Sequence, residues 1–193
     1  MVRLLAACIL LVLAWPAAAD APPADVTQLQ LERTEEGLLL SAAVRFELPQ
    51  VIEDALLKGI PMFFVSEAVL YRDRWYWYDR EVSNVRRHMR LSYQTLTRRW
   101  RLTISPTVIG NTGVALGQNF DTQEEAMAAV QRISRWKIAE AGDINPDERY
   151  NVDFRFRLDV SQLARPFQIG AVGQADWNIS VLRNQRLTID SAR

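Results

Sequence analysis

The sequence predicts a mainly β fold: two packed antiparallel sheets forming a β-sandwich, with two short helices at its edges. One antiparallel sheet with two helices is the alternative. Three observations carry this reading. From Met62 to Ile104 apolar residues recur at alternate positions, β-branched and aromatic side chains are frequent, and Gly and Pro are absent, as long strands require. From Tyr150 to Val160 the alternation is without error, with Tyr150, Val152, Phe154, Phe156 and Leu158 set against Asn151, Asp153, Arg155, Arg157 and Asp159. Only two segments show helical punctuation, and both are short.

Residues 1–19 read as a cleaved signal peptide. Arg3 supplies a basic start, Leu4 to Trp15 is apolar, and Pro16-Ala17-Ala18-Ala19 ends in the small residues that a signal peptidase reads. The apolar run is shorter than the roughly 20 residues needed to span a bilayer, so no transmembrane helix is expected after cleavage. An uncleaved amino-terminal anchor is the alternative. Leu5-Ala6-Ala7-Cys8 matches a lipoprotein cleavage pattern, but most of the apolar run follows the cysteine rather than preceding it. Residues 20–25, with Pro22 and Pro23, form a polar linker, and 26–193 are expected to be one β-rich domain.

Along that domain, Thr27, Leu29 and Leu31 alternate with polar residues. After the Glu35-Glu36-Gly37 turn, Leu38, Leu40, Ala42, Val44 and Phe46 do the same, predicting a hairpin. Pro49 opens a helix whose buried side is Val51, Ile52, Ala55 and Leu56, and Gly59 and Pro61 end it. Met62 to Leu70 is apolar on both faces, as a central strand would be, and a bend is expected at Arg72-Asp73-Arg74. A tight turn at Thr95-Leu96 would pair Leu91 with Trp100 and Met89 with Leu102. Arg90 and Arg101 would then lie together on the opposite face, with Arg86, His88 and Arg99 near them. Ser105 to Asn119 reads as a loop containing a short strand. Asp121 and Glu124 start a second helix with Ala126, Met127, Ala129, Val130 and Ile133 inward, and Trp177, Ile179 and Val181 suggest a last strand.

Inventory excludes several chemistries. Cys8 is the only cysteine and leaves with the signal, so the mature chain has no disulfide, thiolate nucleophile, zinc ribbon or iron–sulfur cluster. Without Arg3 the 23 basic and 23 acidic residues become 22 against 23, a net charge of −1, which argues against a nucleic-acid partner. His88 is the only histidine and has no carboxylate nearby in sequence to orient it as a triad base, so it reads as a surface histidine in a basic strand. Asp143-Ile144-Asn145-Pro146-Asp147 begins like a calcium loop, but Glu148 stands where glycine is needed and Phe154 where the closing acid is needed, so no metal is expected. No cofactor is expected either.

Glu67 shares a strand face with Phe63, Val65, Val69 and Tyr71. A carboxylate there needs a cation, and Arg87, the lone charge among Val85, Met89 and Leu91, is the expected structural partner. Trp75-Tyr76-Trp77-Tyr78 has the composition to stack on sugars or to sit at a membrane interface, though core packing explains it more simply.

Several stretches resemble a family of exported bacterial proteins known as domain of unknown function 4390: Lys58-Gly59-Ile60-Pro61-Met62-Phe63-Phe64, Arg74-Trp75-Tyr76-Trp77-Tyr78-Asp79, Arg90-Leu91-Ser92-Tyr93-Gln94-Thr95-Leu96-Thr97-Arg98, Arg165-Pro166-Phe167-Gln168 and Asp176-Trp177. The resemblance implies an amino-terminal signal and genes neighbouring a membrane sensor kinase and its response regulator. It carries no activity and no catalytic residue.

The expected function is therefore an exported, non-enzymatic binding or accessory module of the cell envelope, periplasmic in a bacterium and associated in function with a sensor kinase. An envelope protein or anionic envelope component would bind on Arg86, His88, Arg90, Arg99 and Arg101. The alternative is a hydrolase or lyase acting on an envelope polymer, with Glu67 and a second carboxylate as its catalytic pair.

Overall fold

The computed structural model describes residues 24–73, 79–110, 117–171 and 175–187. The expected signal peptide, most of the linker and the Trp75-Tyr76-Trp77-Tyr78 run lie outside them. Two antiparallel sheets pack face to face, the two-sheet sandwich that alternation predicts. The smaller is β1 (Ala24–Thr34), β2 (Gly37–Phe46) and β7 (Arg132–Glu140), in that order. The larger is ordered β6 (Gly117–Phe120), β5 (Arg99–Ser105), β4 (Arg80–Gln94), β3 (Met62–Arg72), β8 (Tyr150–Leu158) and β9 (Ser180–Leu187).

The hairpin turns at Gly37, whose φ of +134° suits glycine. A side chain there would also collide with the Ala139 carbonyl of β7. Leu38, Leu40, Ala42, Val44 and Phe46 all face the core. Phe46 projects from the small sheet against Phe64 of β3 and Phe156 of β8, with ring centroids 5.6 and 5.2 Å away, and those two rings are 5.7 Å apart. Such aromatic clusters add attraction beyond the area they bury. Leu91, Trp100 and Phe154 are buried in the same layer.

Helix α1 (Gln50–Leu57) follows Pro49, which stands at its N-cap, and buries Ile52, Ala55 and Leu56 but leaves the expected Val51 exposed. It ends in a Schellman motif: Gly59 (φ 82°) donates to the Leu56 carbonyl at 2.8 Å and Ile60 to Ala55 at 3.0 Å. Helix α2 (Gln123–Gln131) is capped by Thr122, whose hydroxyl accepts from the Glu125 N–H at 3.2 Å, rather than by Asp121. It passes directly into β7, so Ile133 belongs to a strand. A third helix, α3 (Arg165–Ala171), goes beyond the two that the pattern predicts, and Trp177 sits in a 3₁₀ turn before β9 rather than in the strand.

The β4–β5 register differs from the expected one by two residues. Leu91 pairs with Leu102, Met89 with Ile104 and Tyr93 with Trp100, because the turn occupies all four of Thr95–Arg98. A shift of two preserves the faces. Arg90 and Arg101 are consequently diagonal neighbours rather than opposite ones.

After β8 the chain reverses around Asp159, buried at 7% exposure. Its carboxylate accepts from the Ser161 hydroxyl at 2.6 Å and the Gln162 amide at 2.7 Å, and pairs with Arg157 at 3.2 Å. Burial pushes its pKa up, but the Ser161 and Gln162 hydrogen bonds together with Arg157 outweigh that and hold it below the ordinary carboxylate value.

These positions set two expected outcomes. Trp100→Ala should cost about 3–5 kcal/mol and Arg101→Ala, exposed on the opposite face, within about 0.5 kcal/mol, as denaturation midpoints will report. Comparable losses would reverse the assigned faces. Because the folded pKa of Asp159 lies below its unfolded value of 3.8, its stabilisation is present above that value and lost as pH falls through the lower folded one. Asp159→Asn should therefore lower stability at neutral pH by about 1–3 kcal/mol, and the gap from wild type should narrow as the pH falls below 3.8. A gap independent of pH would show that the charge of Asp159 does no stabilising.

Candidate functional site

Strand β3 is apolar on both faces. Its inner face packs in the sandwich, and its outer face presents Phe63, Val65, Glu67, Val69 and Tyr71 between β4 and β8. The register then fixes what surrounds them. Phe63 lies opposite Arg90, Val65 between His88 and Arg157, and Glu67 between Arg86 and Arg155. On the far side of β4, Ser105 faces His88, Thr103 faces Arg90, Arg101 faces Ser92 and Arg99 faces Gln94. Arg86, His88, Arg90, Arg99 and Arg101 therefore share the outer face of the large sheet.

They do not form one cluster. Arg86 is committed to Glu67, its Nη2 2.8 Å and its Nε 2.9 Å from one carboxylate oxygen. Arg99 holds Asp121 at 2.9 Å in an exposed pair. Arg90 and Arg101 have no acidic partner among the described residues, and the Arg101 guanidinium extends over Gly117 of β6. Arg155 and Arg157 join the same face from β8. They alternate outward in the sequence, but nothing local reveals that β8 lies beside β3.

Two expectations are corrected here. Glu67 pairs with Arg86 and not Arg87: residues opposite each other on neighbouring strands share a face, and Arg87 lies opposite Ser66, pointing into the sandwich. Burial lowers the Arg87 pKa, and neither its Nε nor the Ser66 hydroxyl has a hydrogen-bond partner among the described residues. His88, expected at the surface, is buried at 8% exposure. Burial lowers its pKa, Asp159 opposes this, and Arg86 and Arg157 reinforce it. Asp159 is the carboxylate that local sequence did not disclose. The His88 Nδ1 nevertheless has no hydrogen-bond partner among the described residues, so Asp159 does not orient the ring as a triad acid would.

Beside Arg90 the outer face carries a cleft of about 580 Å³. Phe63 lines it, together with Ile60 and Pro61 from the chain leaving α1, Val108 from the loop after β5, and Leu163 and Phe167 from the segment after β8. Gln162 contributes an amide that already donates to Asp159. Glu67 is not part of the lining. Asp153, its diagonal neighbour on β8, is also absent from it and accepts from the Asn184 amide at 2.6 Å. Among the described residues no group of His, Cys, Asp and Glu is placed to hold a metal ion, and no helix is long and apolar enough to cross a membrane. At the calcium-like stretch, the Asn145 side chain accepts from the Asp147 N–H at 3.1 Å, a local turn.

No curated protein and no solved structure matches the chain. The family described as Domain of unknown function (DUF4390) matches residues 21–187, which takes in both sheets and every wall of the cleft, and the chain belongs to that family.

Proposed function

We propose that this protein is an exported, non-enzymatic binding module of the cell envelope, periplasmic in a bacterium, which receives an envelope protein or anionic envelope component on the outer face of its large sheet. The observation that carries the reading is the pair Arg90 and Arg101. They lie diagonally on one face, without acidic partners among the described residues, while Arg86 and Arg99 on the same face are already engaged. Guanidinium groups left in this state favour planar anions, which they hold through charge-assisted, bidentate hydrogen bonds. The net charge of the mature chain is close to zero, so attraction of an anion depends on this local excess. Association with a membrane sensor kinase is the partner relation that the family resemblance suggests, and such a kinase would dock on the same face.

The carboxylate-dependent alternative has less support. Glu67 is paired with Arg86 and stands half-buried on the outer face of β3, outside the cleft.

Retention on isolated envelope fractions tests the reading. At about 0.01 M salt, where charges act over about 30 Å, the wild-type protein should be retained, and Arg90→Gln/Arg101→Gln should lose about tenfold or more of that retention. Raising the salt to about 0.15 M should weaken the wild type toward the double variant. Equal retention of the two proteins at low salt would sink the assignment of this face.

A further inference from the structure

We infer that the cleft beside Arg90 binds a single-chain anionic amphiphile, with the acyl chain lying along Ile60, Pro61, Val108 and Phe167 over a floor that includes the buried Phe63 and Leu163, and the anionic end on the Arg90 guanidinium. The inference rests on the reading that this face takes an anionic partner, and it names the class of that partner. Size is the first support, since about 580 Å³ lies within the range of small-molecule sites and is far more than an ordinary packing defect.

The second support is the polarity of the lining. Among the described residues its only charged side chain is Arg90, its one side-chain amide is engaged with Asp159, and its remaining side chains are apolar. A sugar needs several convergent polar groups, which these walls do not supply. A peptide joining the sheet as an added strand needs a free edge, but the cleft lies over β3 and β4, which are paired on both sides. An acyl chain asks for no hydrogen bonds along its length.

The third support is the cation itself. An apolar occupant alone would take water from Arg90 and leave the charge uncompensated, at considerable cost. The occupant must therefore bring its own anion. Val108, at the rim, is 62% exposed, so a chain laid against it removes apolar surface from water. Two parts of the lining are held by hydrogen bonds of the fold itself. The Schellman motif sets Ile60 and Pro61, and the Asp159 turn sets Leu163.

Titration calorimetry with monomeric dodecanoate, on protein recovered from expression of the full chain, tests this. Dodecanoate should bind. Butanoate, which has the head without most of the tail, should bind at least about a hundredfold more weakly, and dodecyltrimethylammonium, with the tail and the opposite charge, at least about tenfold more weakly. Arg90→Gln should cost dodecanoate about tenfold and remove the preference between the two heads. Ala164→Trp places a large ring at the mouth from an exposed position and should abolish dodecanoate binding without moving the denaturation midpoint. Failure of the wild type to bind dodecanoate, binding indifferent to both variants, or binding only to anionic phospholipid vesicles would each overturn the inference. If dodecanoate fails while envelope retention still depends on Arg90 and Arg101, the amphiphile is lost and the arginine face stands. Arg90-dependent dodecanoate binding with arginine-independent retention would instead keep the amphiphile and remove the arginine face as the envelope contact.

Discussion

The structure depends on a strand that must be covered on both sides. β3 buries Met62, Phe64, Ser66, Ala68 and Leu70 on one face and Phe63, Val65 and Val69 on the other. The inner face is satisfied by the sandwich, where Phe46 closes on Phe64 and Phe156. The outer face has no third sheet among the described residues. Its cover is assembled from the long side chains of neighbouring strands and from three irregular segments: the chain entering β3, the loop after β5 and the segment after β8. A cover made from loops and turns packs less completely than one made from a sheet, because each piece has its own backbone polar groups to satisfy. The cleft is where those pieces meet beside Phe63, which they leave buried.

Arginine suits the strands that flank such a face. Its aliphatic stem can lie along Val65 and Val69 while the guanidinium stays wet, so one side chain shields an apolar strand and charges its rim. The face becomes cationic for a packing reason, and function then depends on which of those charges stay uncompensated. Arg86 and Arg157 are compensated by Glu67 and Asp159. Arg90, on β4 opposite Phe63, and Arg101, on β5, have no acidic partner among the described residues.

What can be read from the sequence is whatever depends on nearest neighbours along the chain. Alternation assigns Leu91, Trp100, Phe154 and Phe156 to the core and five basic or imidazole groups to the outer face, and the structure agrees. The register does not follow, because Thr95–Arg98 contains no glycine or asparagine to announce a turn type, and Arg98 takes the positive φ of 54° itself. The expected Glu67 partner is wrong because the β3–β4 register sets Glu67 opposite Arg86 and Arg87 opposite Ser66, which puts Glu67 and Arg87 on different faces. Strand order is beyond local reading. Nothing within Tyr150–Leu158 says that it lies against Met62–Arg72, and without that pairing neither Asp159 beside His88 nor the cleft can be constructed.

Asp159 ties these parts together. It follows the last residue of β8, where its N–H donates to the Phe63 carbonyl at 2.7 Å, so its position is set by the central strand itself. One carboxylate oxygen holds Ser161 and Arg157, and the other holds Gln162. Farther along, the Gln168 amide donates to the carbonyls of Ser161 at 2.6 Å and Leu163 at 2.7 Å, fastening α3 to the same turn. A buried carboxylate without these donors would be expelled or protonated, and with them it becomes a fixed point. The wall carrying Leu163 and Phe167 is therefore held by polar bonds as well as by the core, in which Leu163 and Phe63 are both buried. A wall held only by the hydrophobic effect could slide over the sheet, whereas one anchored at Asp159 keeps a single arrangement beside the cleft.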